Sequence, residues 1–453
     1  MSPDSARSEP LSNVDSAWLR MEDPTNLMTI TALMTFEGTL DFQRLKTVIE
    51  DRLISHDRFR QRVVESRIPF VKPRWEEDEH FALKAHLRRT ALPHPGDQGT
   101  LQDVVSDLMS TPLDYSKPLW QFHVIENYTG GSALVARVHH CIADGIALVR
   151  LMFKLVTESS EEDARHPEMP IPSVRRSRRR RGVIDEGMET LVNPARALAL
   201  ARGGASVAAE FTKLVTLSAD PRTLFKGSLG VTKRAAWSDA IPLSDVKTCA
   251  KKWGATINDL LLAAVSGALR NYMLGRGEKP DGLTFRAVVP VNLRTEDELE
   301  TLGNRFGLVF LALPVGVGER DGRLRELKRE MDLIKGSPQA MVAFGVLNAL
   351  GMASPEIEGI GVNIFARKAT AVMTNVPGPQ RQLFLAGSPI RDILFWVPQS
   401  GRLGLGVSIL SYNGQVRLGV AADAGLVPDP GTIITRFQEE YREFERLSSR
   451  HDG

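Results

Sequence analysis

Leu134-Val135-Ala136-Arg137-Val138-His139-His140-Cys141-Ile142-Ala143-Asp144-Gly145 is the stretch from which the fold of this chain can be read. Its alternation predicts a strand that ends at His140. Leu134, Ala136 and Val138 then share a face with His140, while His139 shares the other with Arg137, Val135 and Ala133. Among apolar neighbours an imidazole resists protonation, which suits a general base near neutral pH. Asp144 can cap the helix that follows or hold an arginine by a two-pronged pair. Gly145 permits a close approach or an unusual backbone conformation. Two packed histidines and a capping Asp-Gly would be a bland alternative, and for His-His alone the better one. The whole string at a strand-to-helix turn favours chemistry. Cys141 is no nucleophile for His140 to activate, because adjacent strand residues point to opposite faces.

Outward from this turn, both halves of the chain mix strands with helices. Met28, Ile30, Ala32, Met34 and Phe36 alternate as a strand does. Asp41 then caps a helix with the apolar stripe Phe42, Leu45, Val48, Ile49 and Leu53. Leu101, Val104, Val105, Leu108 and Met109 mark a second amphipathic helix. Trp120–Glu126 and Ser132–His140 are strands joined at Gly130-Gly131, and Ile146–Thr157 is a packed helix. The character changes after Glu158. An acidic run, three prolines and six arginines between Arg175 and Arg181 form a linker, and 187–215 is an Ala/Leu-rich helical connection over the surface. The second lobe begins near Ala235, with helices at 243–252, 257–274, 322–334 and 432–448. Its strands are expected at 285–293, 307–314, 369–374, 393–398, 404–411 and 416–422. The last two meet at an Asn413-Gly414 hairpin. The expected division is therefore 1–158, a linker 159–234, and 235–453.

Length and composition agree with a folded protein: 453 residues, 42% hydrophobic and 25% charged. No window reaches the roughly 18 to 20 apolar residues of a membrane span. The nearest, Leu260–Leu269 and Met341–Ala353, read as buried helices. The first ten residues lack a signal peptide's apolar core, and the two cysteines allow no disulfide framework or thiolate metal site. A cytoplasmic location is the expectation. Net charge is +2, so only the arginine block speaks of partners. A solvated linker is its first reading and contact with anionic headgroups its second. With no aromatic residues interleaved, it is not a nucleic-acid site.

The string His139-His140-Cys141-Ile142-Ala143-Asp144-Gly145 resembles the HHxxxDG motif of the CoA-dependent acyltransferase superfamily, which includes chloramphenicol acetyltransferase and peptide-synthetase condensation domains. Four further segments narrow the resemblance. Leu11-Ser12-Asn13-Val14-Asp15 with Trp18-Leu19, Pro118-Leu119-Trp120, Thr256-Ile257-Asn258-Asp259 and Asn375-Val376-Pro377-Gly378-Pro379 look like motifs of the bacterial wax ester synthase/diacylglycerol acyltransferase family. They lie in the family's order and span most of the chain.

The resemblance implies an α/β (α+β) fold of two chloramphenicol-acetyltransferase-like lobes with mixed sheets, a helical linker, and an active site in a tunnel between the lobes. It implies that His140 takes the acceptor's hydroxyl proton, with no acyl-enzyme, while His139 and Gly145 complete the motif. Asn258 is then the oxyanion donor of choice, with Thr374 and Asn375 behind it and Asp259 beside it. A helix cap is the competing reading for Asn258-Asp259. Asp144 is expected to be structural, paired with Arg294. The implied donor is a long-chain acyl-CoA, a substrate, so no cofactor or metal is called for. A fatty alcohol or diacylglycerol is the acceptor. A specialised acceptor, a carrier-bound donor or a non-catalytic lipid-binding role are the alternatives. Oily substrates imply peripheral contact with an anionic membrane or lipid inclusion, which the arginine block and the Ala/Leu-rich helix are suited to make.

Overall fold

A computed structural model describes residues 8–65, 71–160, 209–214, 216–294, 303–335, 337–353, 355–399 and 401–449. Before the linker run β1 (Ser8–Pro10), α1 (Asn13–Arg20), β2 (Thr29–Phe36), α2 (Phe42–Val48), β3 (Gln61–Val64), β4 (Arg74–Glu77), α3 (Leu83–His86), β5 (Leu87–Ala91), α4 (Gln98–Ser110), β6 (Trp120–Tyr128), β7 (Gly131–His139) and α5 (Gly145–Leu155). After it run β8 (Lys233–Trp237), β9 (Ile241–Pro242), α6 (Leu243–Lys252), α7 (Ile257–Gly275), β10 (Phe285–Asn292), β11 (Phe306–Leu313), α8 (Arg320–Lys335), α9 (Gln339–Leu350) and α10 (Pro355–Ala366). The chain closes with β12 (Ala371–Pro377), β13 (Phe384–Leu385), β14 (Ser388–Trp396), β15 (Leu405–Tyr412), β16 (Gln415–Asp423) and α11 (Pro430–Ser448).

Two mixed sheets form two lobes. The first has the order β13-β14-β2-β7-β6-β5 and the second β11-β10-β12-β15-β16-β8, with β9 also on β16. All of β7 is buried, because the sheet is covered on both faces. Leu134, Ala136 and Val138 enter one apolar cluster with α1, α2 and α5. Ala133 and Val135 enter another with Leu101 and Val105 of α4. The second sheet packs Ala371, Met373, Val407 and Leu418 against α6, α7, α8 and α11.

Several expectations are corrected here. The strand ends at His139, and His140 begins the turn. The division at Ala235 does not separate the sheets: β14 crosses back to pair with β2, Phe395 opposite Ala32 and Leu394 opposite Leu33. Alternation marks a strand but is silent about its neighbour. The arginine block and residues 187–208 lie outside the described residues. The connection's last helical turn, 209–214, runs over the surface as expected, with four of its six residues exposed, and is anchored at its end. Leu214 is buried and its carbonyl accepts from Lys368 Nζ at 2.6 Å. Leu260–Leu269 is buried throughout, as expected, but Met341–Ala353 is buried along one side only. No helix among the described residues is long and apolar enough to cross a membrane.

Candidate active site at the junction of the lobes

His140 sits in the turn between β7 and α5. Its main-chain N–H donates to the Met28 carbonyl at 2.7 Å, which continues the pairing with β2 by one residue. The imidazole stacks on Trp18 of α1, with ring centres 4.0 Å apart and planes 19° from parallel. Phe306 of β11 lies 5.4 Å away on a tilted plane. The side chain is almost wholly buried, and Nδ1 meets no hydrogen-bond partner. Burial drives its pKa down to about 4, against a smaller upward pull from Asp144, because an imidazolium there loses its hydration. The ring is therefore neutral at neutral pH and free to accept a proton.

His139 is placed differently. Its Nδ1 accepts from the Cys141 N–H at 3.1 Å, so the proton resides on Nε2, which faces Tyr115 Oη at 3.1 Å and Glu22 at 3.4 Å. The ring therefore splints the turn. Cys141 is buried in apolar surroundings that push its thiol pKa upward, so its reactive thiolate is suppressed.

Asp144 joins two roles. Oδ1 accepts from the Ala147 N–H at 2.9 Å, capping α5. Oδ2 meets Arg294 Nη1 at 2.5 Å and the Arg305 N–H at 2.9 Å. The other arm of Arg294 donates to the Gly303 carbonyl at 2.6 Å, and the Asp144 N–H donates to the same oxygen at 3.2 Å. Gly303 has a φ of +103°, which a residue with a Cβ adopts only under strain. Gly145, by contrast, shows neither of its expected roles. Its φ is not positive, and a Cβ there would meet Val397 at an ordinary 3.9 Å.

The remaining candidates form a second group. Thr256 and Asp259 make a reciprocal capping box at the start of α7, with distances of 3.0 and 3.1 Å. Asn375 donates through Nδ2 to Asn258 Oδ1 at 2.6 Å. Alternation along β12 explains why. Ala371 and Met373 face the cluster under α7, and Asn375 follows them toward that helix. Val372 and Val376 face the clusters that include Val397 and the histidine turn. Thr374 shares this second face, is buried, and has a hydroxyl without a partner.

Asn304 carries a part of the site that no motif singled out, and Trp18 has a place there that its motif did not reveal. Asn304 Nδ2 lies 2.7 Å from the His140 carbonyl and 2.8 Å from Asp15 Oδ1, so the start of α1, the turn and the second lobe meet in one buried amide. Asp15 and Trp18 stood in the opening motif, but nothing in the sequence gave Asn304 a partner. Two cavities border this group, one at Asn304 and the other at Trp18. One, of about 500 Å³, is lined by Ser12, Asn13, Lys72, Asn304 and Arg305. The other is apolar and lies between Trp18, Leu308, Leu347 and Phe365. Among the described residues, no three His, Cys, Asp or Glu side chains are gathered to hold a metal ion.

Residues 11–261 match the model of the wax ester synthase/diacylglycerol acyltransferase catalytic domain, and residues 302–445 match that of the WS/DGAT C-terminal domain. A Mycobacterium tuberculosis protein named as a probable diacylglycerol O-acyltransferase is 30% identical over 97% of this chain and 96% of its own. Among solved structures, the wax ester synthase/diacylglycerol acyltransferase from Marinobacter aquaeolei VT8 superposes with a TM-score of 0.70 at 24% identity, covering 97% of this chain and 99% of that one. The first condensation domain of the calcium-dependent antibiotic synthetase gives 0.62 at 16% identity, over 98% and 97%. At these identities, the structural likeness is one of fold.

Proposed function

The chain belongs to the wax ester synthase/diacylglycerol acyltransferase family and is an acyltransferase, and from that premise we propose how it works. It moves a long-chain acyl group from acyl-CoA to the hydroxyl of a fatty alcohol or of diacylglycerol, with His140 as general base. The observation that carries this reading is the buried imidazole, held neutral by desolvation and stacked on Trp18, which lines the apolar pocket.

The acceptor oxygen attacks the thioester carbonyl carbon as His140 takes its proton. The tetrahedral oxyanion then collapses, the carbon–sulfur bond breaks, and the imidazolium returns the proton to the leaving CoA sulfur. No acyl-enzyme forms. Thr374 joins Asn258 as a candidate oxyanion donor, since its buried hydroxyl has no partner on the face of β12 that looks toward the histidine turn, while Asn375 spends one amide hydrogen on Asn258 Oδ1. Lys72 and Arg305 give the cavity beside Asn304 the charge to hold CoA phosphates, and the apolar pocket takes the acyl chain.

The test is CoA release from palmitoyl-CoA with hexadecanol or dioleoylglycerol as acceptor. Acceptor-dependent release should fall by roughly 10² to 10⁴ in His140→Ala, with the fold intact by circular dichroism. Release that persists unchanged in the variant would overturn the base assignment. Failure of wild type with both acceptors would overturn the acceptor class and point to a specialised alcohol or a carrier-bound donor.

A further inference from the structure

Surface helices ordinarily turn their polar residues outward. α9 and α10 do not. The outward positions of α9 and the turn after it are Met341, Gly345, Ala349 and Met352, and those of α10 include Ile357, Ile360 and Ile364. Of the eleven large apolar side chains exposed among the described residues, five fall in this hairpin, at 48% to 71% exposure. Gln339 to Pro355 contains no charged residue. Glu358 of α10 turns inward to Arg20 at 3.4 Å, which ties the hairpin to α1. A contiguous apolar surface of this kind marks an interaction site.

We propose that the α9–α10 hairpin is the face by which this protein docks on a lipid surface, and that the oily substrates reach the histidine turn from there. Three observations select a lipid surface as the occupant. First, the inner side of the same two helices, through Val346, Leu347, Leu350 and Phe365, lines the apolar pocket that ends at Trp18, against His140. The docked face and the pocket are thus two sides of one layer of helix. Second, among the described residues the exposed positions of the hairpin are Met, Ile, Ala or Gly, without the Trp, Tyr and Arg anchors that dominate protein interfaces. Third, the edge of the patch is basic. Exposed Arg367 follows α10, and exposed Arg402 follows Gly401, where a Cβ would stand 3.3 Å from Ala366. Cations at that level complement anionic headgroups while the isoleucines and methionines enter the acyl boundary.

This inference rests on the transferase reading, which is what calls for an oily occupant.

The experiment is flotation of the full-length protein with phosphatidylcholine/phosphatidylglycerol vesicles containing dioleoylglycerol, for wild type, Met352→Glu/Ile360→Glu, and Val231→Glu as an exposed apolar control elsewhere. The double variant should float roughly tenfold less or worse, the control like wild type, and all three should melt alike. Transfer from butyryl-CoA to a short soluble alcohol should be unchanged in the double variant, while transfer to vesicle-held diacylglycerol falls with flotation. Flotation unaffected by the two glutamates would overturn the proposal. So would a wild-type dimer that the double variant dissolves while flotation is unaltered, which would make the patch an interface between copies. Wild type that transfers but does not float would overturn the docking surface alone. Wild type that floats through this patch but releases CoA with no acceptor would overturn the transferase reading alone.

Discussion

Burial of His140 between Trp18 and Phe306 fixes the pH range in which it can act. Its pKa of about 4 lies below the ordinary histidine value, so the folded ring releases its proton at a pH where the unfolded ring still holds one. Two consequences have the same sign. The acid limb of kcat/KM should fall near pH 4 rather than near 6.5, with activity present above the limb and lost as pH drops through it. Stability should also fall as pH drops from about 6.5 toward 4, because the unfolded chain binds more protons there. His123, likewise pushed to about 4 by burial, adds to the second effect but not to the first. A limb near 6.5 in the rate profile would mean that the ring is solvated during turnover. Thr374 is the other residue with a sharp expectation. Thr374→Val should lower kcat by about 100-fold or more with little change in KM, the cost of one oxyanion donor, and Thr374→Ser should restore most of it. An equal loss in both variants would mark the position as packing. His140 was legible from the alternation of β7, which assigned its face correctly although the strand stops one residue earlier. Asn258 was ranked above Thr374 from the resemblance, while sequence alone cannot tell which side of β12 looks across to the other lobe.

The elements fall where their patterns predict when both faces of the pattern have a role. Residues 243–252 are helical to the residue, and Leu260–Leu269 is buried as its uniform apolarity implied. The same reasoning failed at Met341–Ala353, equally apolar but half exposed, because apolarity reports what a helix can bury and not whether anything covers it. α7 shows the opposite case. Gly267 lies against the buried pair of Arg323 and Glu440, whose atoms would be about 2.5 Å from an added Cβ. Arg323 also donates to the Ala263 carbonyl at 3.1 Å. Gly267→Ala favours the helix by up to about 1 kcal/mol in propensity, yet it should lower the melting temperature, since displacing a buried ion pair costs about 3 to 5 kcal/mol. A stabilised variant would show that the pair has room to shift. Helix α4 protects the second sheet at its edge: Ser106 and Ser110 accept from the Ala235 and Lys233 N–H groups at 2.9 and 2.8 Å, so β8 is covered.

At the scale of the whole molecule, the lobes are held together by β14, which leaves the second half of the chain for the first sheet, and by Asp144 with Arg294. Asp144→Ala would strip the cap from α5 and leave Arg294 buried without its counter-charge. The expected loss is about 3 to 5 kcal/mol in urea unfolding. Arg294→Lys should not restore it, because one ammonium cannot reach both the carboxylate and the Gly303 carbonyl in the guanidinium's forked geometry. A lysine variant as stable as wild type would refute that account. The sequence by itself determined the histidine turn, the mixed α/β character and most strands and helices, because these follow from the periodicity of neighbours along the chain. Tertiary structure alone decided that Asn304 ties Asp15 to the His140 carbonyl, that β14 belongs to the first sheet, that Thr374 rather than Asn375 faces the junction, and that the outer side of α9 and α10 stays uncovered. Each of these depends on which distant surfaces meet, and a local pattern of apolar and polar residues specifies a face without naming its partner.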